Sequence, residues 1–163
     1  MVDIAVRNAD IPMLGALFAH LQVSYPSVAK AHEDRALAYA AEIGCLEVVK
    51  ALYKRMLAAQ AQGHRFTQKD PLYAAIEHGH HEVVKWLLQE GADLCGDTGA
   101  WDNALQALCD GVTDSPSASA AVLKVLAMMD TLLGACADIA DGANRVYVTQ
   151  LVQMKRFILA NIL

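Results

Sequence analysis

Slid against itself by 35 residues, the chain places Leu37, Ala40, Glu42, Gly44, Glu47, Val48, Val49, Lys50 and Leu52 on Leu72, Ala75, Glu77, Gly79, Glu82, Val83, Val84, Lys85 and Leu87. Identities in the same order around one glycine mark a repeated unit. A period between about 20 and 50 residues indicates stacked repeats, each burying its apolar face only against a neighbour. That constraint excludes most single-core folds at once.

The stretch from Asp70 to Leu94, DPLYAAIEHGHHEVVKWLLQEGADL, contains a full helix-turn-helix. Asp70 is suited to capping orphan backbone N–H groups, and Pro71 suits the first helical position, where no N–H is needed. Small Ala74 and Ala75 let neighbouring backbones approach. Gly79 supplies the positive φ that ends one helix before Glu82 begins the next. Val83, Val84, Leu87 and Leu88 then form one apolar stripe at helical spacing, and Gly91 ends it.

Pro71, Leu72, Ala75, Gly79, His80, Glu82, Val83, Val84, Leu87, Leu88 and Gly91-Ala92-Asp93 resemble the ankyrin-repeat family. Asp70 replaces the threonine, and Tyr73 the histidine, of its T-P-L-H-x-A signature. The resemblance implies an all-α solenoid of about four helix-turn-helix repeats with a C-terminal capping helix. Residues 1–163 form a single domain on this reading. The repeats fall near 1–34, 35–69, 70–102 and 103–142, with an inserted loop near 111–120 and a capping helix near 143–163.

The first repeat is degenerate, with Ala5, Met13, Leu14 and Leu17 in register, Pro12 near its outer helix and Ala9 at the glycine position. His20 to Lys30, with Ser24, Pro26 and Ser27, reads as a loop. Leu46 to Gln62 has no breaker and predicts an extended outer helix ending at Gly63. His64 to Lys69 and the turn-rich Gly91 to Asn103 read as loops flanking the third repeat. Ala104 to Asp110 takes the next inner-helix role. The segment GVTDSPSASA departs from the period and predicts a mobile loop, with Ser117 or Ser119 capping the helix that follows. From Ala143 to Leu163, Val148, Leu151, Val152, Lys155, Ile158, Leu159 and Ile162 predict one long helix.

A chain of 163 residues is large enough to bury about two thirds of its unfolded surface. Although 55% of the residues are apolar, no run approaches the ~18 that a membrane span needs, so no membrane partner is expected. The N-terminus lacks a basic segment followed by an apolar core. The net charge of −5 and scattered basic residues argue against nucleic acid. Cys45, Cys95, Cys109 and Cys136 lack any CxxC pair, which favours reduced thiols and a cytoplasmic setting. Delivery into a host cell by a signal-independent route stays open, and a monomer is favoured over an oligomer.

His78, His80 and His81, with His64 nearby, invite a metal site. The resemblance assigns His80 to local organisation of the turn, and His78 and His81 fall on different helices, so no metal is expected. Cys45 has no base placed beside it, and no catalytic or cofactor motif occurs, so neither an enzyme nor a cofactor is expected. The resemblance implies protein binding across loop tips and the exposed side of the inner helices. Carried over by position, the partner-binding set is Arg65, Phe66, Thr67, Lys69, Glu77, His78, Asp97, Ala100, Trp101, Asp102 and Asp110, with Ile43 and Thr98 beside it. Phe66 and Trp101 are the preferred anchors. The alternatives are a bacterial effector or inhibitor that blocks a target protein, a self-associating structural protein, and an enzyme or metal protein using the histidines.

Overall fold

The computed structural model describes residues 2–59, 70–92, 102–107, 118–138 and 144–162. Regular structure in these residues is helical: α1 (Val2–Arg7), α2 (Ile11–Ser24), α3 (Pro26–Glu42), α4 (Leu46–Ala59), α5 (Pro71–Glu77), α6 (His81–Gln89), α7 (102–107), α8 (Ala118–Asp138) and α9 (Asn144–Ile162). The all-α repeat solenoid expected from the resemblance is the fold.

The same turn is built three times. Ala9, Gly44 and Gly79 adopt φ of 52°, 75° and 72°. The N–H of the following residue reaches back five positions, from Asp10 to Ala5, from Cys45 to Ala40 and from His80 to Ala75, each at 2.9 Å. This closes each inner helix with a left-handed residue, as in a Schellman cap. Gly91, at φ 85°, ends α6 in the same way. At the other helix ends Asp70 Oδ1 accepts from Leu72 N at 2.8 Å, and Asp10 Oδ1 from Met13 N at 2.9 Å.

Helices α1, α3 and α5 stack as an inner row, while α4, α6 and α8 follow one another on the outside. Ala36, Ala40, Ala41, Ala74 and Ala75 are buried where the inner helices meet, so α3 and α5 approach closely around Leu37 and Leu72. Each of these leucines contributes roughly 2 kcal/mol by its burial. Outside, Val48, Val49 and Leu52 of α4 and Val83, Val84 and Leu87 of α6 form the buried stripe. Tyr53 meets Trp86 edge-on, with ring centroids 5.5 Å apart. Burial pushes the Tyr53 hydroxyl pKa up, and Asp70 and Glu90 add to the shift.

The expected loop from His20 to Lys30 is helical on both sides of a single residue. Tyr25 N donates to Leu21 O at 2.7 Å, and Ala29 N donates back to Tyr25 O at 2.9 Å. Ser24, Pro26 and Ser27 suggested a loop, but serine and proline also suit the first turn of a helix, and Pro26 occupies that place in α3. Helix α4 is longer than α6, as the missing breaker predicts, and is described as far as Ala59; residues 60–63 lie outside the described residues. Helix α8 begins at Ala118, so Ser119 is inside it and does not cap it, and residues 118–120 are helix rather than loop. The rest of the expected insertion, including Ser117, lies outside the described residues. Helix α9 buries Leu151 and Ile158 and packs on α8, with Lys155 Nζ donating to Asp130.

Candidate functional site

The 35-residue register places Arg7, Glu42 and Glu77 at equivalent ends of α1, α3 and α5, followed by Asn8, Ile43 and His78. These positions form a row across the inner helices, and side-chain bonds between helices hold parts of it in place. Arg7 Nε donates to Tyr39 Oη at 2.5 Å, with the guanidinium carbon 5.8 Å from the Tyr39 ring centroid. That hydrogen bond is the main reason the Arg7 pKa is raised. Arg35 lies 3.9 Å from the Asp3 carboxylate, again between α3 and α1. Both pairs are exposed, so they set side-chain direction more than stability.

At the next junction His80 Nε2 donates to Glu42 O at 2.8 Å. The resemblance implied a local role for His80; the bond instead crosses from the third repeat to the last residue of α3. A carbonyl can only accept, so the proton is on Nε2 and Nδ1 faces the Gly44 turn. His78 Nδ1 donates to Ala74 O at 3.0 Å, and its Nε2 is 3.8 Å from the Glu42 carboxylate. The His78 and His80 rings lie nearly parallel, 8° between planes and 6.4 Å between centroids. His81 turns the other way: Thr131 Oγ1 of α8 gives its proton to Ala127 O and accepts from His81 Nε2 at 2.7 Å. His80 and His81 thus tie one element to another, while the hydrogen bond of His78 stays within the end of α5. Among the described residues no three His, Cys, Asp or Glu side chains form a group that would hold a metal ion. Cys45 is a half-buried free thiol packed against the core.

Of the residues assigned from sequence, Glu77 is half-buried as the last residue of α5, and His78 is exposed beside it. Asp102 is exposed at the start of α7 and accepts from Gln150 Nε2 of α9 at 3.0 Å. Ile43, in the middle of the row at the C-terminal end of α3, is exposed. Arg65, Phe66, Thr67, Lys69, Asp97, Thr98, Ala100, Trp101 and Asp110 lie outside the described residues. Sequence reasoning missed Arg7 and Tyr39. The register carried the signal for Arg7, since it falls on Glu42 and Glu77, but Tyr39 is brought to Arg7 only by the stacking of α1 on α3.

Residues 3–97 match the family described as ankyrin repeats, in three copies, and the chain belongs to the ankyrin-repeat family. No curated protein and no solved structure matches it. Ankyrin repeats are generally protein–protein interaction modules and are typically non-catalytic. No helix among the described residues is long and apolar enough to cross a membrane.

Proposed function

We propose that the chain is a non-catalytic module that binds another protein through its loop tips and the exposed, concave side of its inner helices, in the cytoplasm and without metal or cofactor. The observation that carries this is the row of Arg7, Glu42, Ile43 and His78, exposed at equivalent places on three stacked helices. Arg7 and His78 are already oriented by Tyr39 and by Ala74 O, which lowers the entropy lost when a partner docks. Arg65, Phe66, Thr67, Lys69, Glu77, Asp97, Ala100, Trp101, Asp102 and Asp110 complete the proposed set, with Phe66 and Trp101 as apolar anchors. Aromatic residues are enriched among interface hot spots.

The test is affinity capture from the native cell followed by mass spectrometry, with wild type beside an Arg7→Ala, Ile43→Ala, His78→Ala variant. A stoichiometric protein held by the wild type and lost by the variant, whose thermal melt stays unchanged, is the expected result. Equal capture by both proteins, or no stoichiometric protein at all, overturns the assignment.

A further inference from the structure

Among the described residues, the helices of the first two repeats project beyond those of the third. Helices α2 and α4 have 14 residues each against nine in α6, and α3 has 17 against seven in α5. In register, α4 runs five residues past the end of α6, about 7 Å, and α3 starts ten residues before α5, about 15 Å. The extensions lie on one side of the stack because inner and outer helices run in opposite directions.

The main core continues into the base of the projection. Phe18 and Met56 belong to that core and Ala29 is buried beyond them, Arg55 lies over the Phe18 ring at 5.9 Å, and Arg55 Nε donates to Glu33 Oε1 at 2.8 Å. Its tip remains apolar and unburied: Val23 is 87%, Tyr25 62%, Val28 45% and Leu57 39% exposed. Lys30 and Lys54 are also exposed on it. Its acidic residues are not displayed in the same way, because Glu33 is held by Arg55 and Asp34 is buried. In a chain of net charge −5, this local surface offers apolar side chains with cations around them.

We propose that the tip formed by Val23, Tyr25, Val28 and Leu57 docks an amphipathic segment of a protein partner, with its apolar residues on the tip and its carboxylates toward Lys30 and Lys54. This rests on the protein-binding reading above and names a second, chemically distinct contact. A prefolded projection loses little conformational freedom on binding, and opposite charge raises the encounter rate while giving a salt-dependent affinity.

Random peptides displayed on phage are selected against the purified chain, then synthesised and titrated by fluorescence polarisation. Binding is compared across wild type, a tip variant (Val23→Ser, Tyr25→Ser, Val28→Ser), a charge variant (Lys30→Glu, Lys54→Glu) and the Arg7, Ile43, His78 alanine variant. The expected peptides combine Asp or Glu with Leu, Phe or Trp, and lose ~10-fold or more in affinity, about 1.4 kcal/mol, on both projection variants with unchanged melts. Peptides that lose affinity only on the alanine variant leave the inner-helix reading standing and overturn this one. Peptides indifferent to every variant, or no peptides, also overturn it. Phosphatidylserine vesicles bound by wild type and released by the tip variant, with no acidic peptide enriched, make the projection a membrane contact and overturn it equally.

Discussion

Replacing Gly44 by alanine is expected to cost far more than the same change at Gly91, although both glycines have positive φ. The shared part is backbone strain: an L-residue in the left-handed region costs about 1–2 kcal/mol. At Gly91, φ is 85° and an added Cβ meets nothing within 4 Å, so the cost stops there. At Gly44 the Cβ lands 2.4 Å from His80 Nδ1, 2.6 Å from Cε1 and 2.8 Å from Cγ. The ring is not free to swing aside, because its Nε2 is bonded to Glu42 O and its backbone is the N-cap of α6. Forcing it away adds an overpacking term of about 1–3 kcal/mol and the loss of one hydrogen bond, about 1 kcal/mol. Gly44→Ala is therefore expected to lose about 3–6 kcal/mol, and Gly91→Ala about 1–2. Urea unfolding with linear extrapolation measures both. A double-mutant cycle isolates the steric part: His80→Ala loses the inter-repeat bond but makes room, so the pair is less destabilised than the sum of the singles. Equal losses at Gly44 and Gly91, or a cycle with no coupling, would show that the His80 ring does not constrain this turn.

Ala9→Gly relieves the same backbone strain where the chain already has an L-residue at φ 52°, and should raise stability by about 0.5–1 kcal/mol in the same urea assay. Arg55→Ala removes both the ion pair to partly buried Glu33 and the stacking on Phe18, and should cost about 1–2 kcal/mol, with lysine restoring only part because it lacks the planar group. The raised Tyr53 pKa means that the folded state holds the phenolic proton more tightly than the unfolded one. Stability is therefore unaffected below the ordinary value of 10.0 and falls as the pH rises above it; Tyr53→Phe should flatten that slope in alkaline thermal melts. Replacing Phe66 and Trp101 together by alanine should weaken the proposed partner complex by more than ~2 kcal/mol, read by calorimetric titration, and leave the melting temperature nearly unchanged. A collapse in stability without a specific loss of binding would place those rings in the core.

The repeat, its 35-residue register and its turns were determined by the sequence itself, because each depends on contacts a few residues apart. Gly44 and Gly79 announce left-handed turns, and the register even located the same turn at Ala9, where no glycine stands. Asp70 and Pro71 specify a helix start through groups within two residues of one another. What needed the tertiary structure involves residues distant in the chain or residue types with two local meanings. Ser24, Pro26 and Ser27 suit a loop and a helix start equally, and packing around Phe18 and Ala29 accompanies the helical choice that builds the projection. Arg7 finds Tyr39 across 32 residues and His80 finds the Glu42 carbonyl across 38. Periodicity tells which face of a helix is buried. It does not tell which side chain of the next repeat arrives opposite an exposed one, because that is set by how far the helices slide and how closely their alanines let them approach.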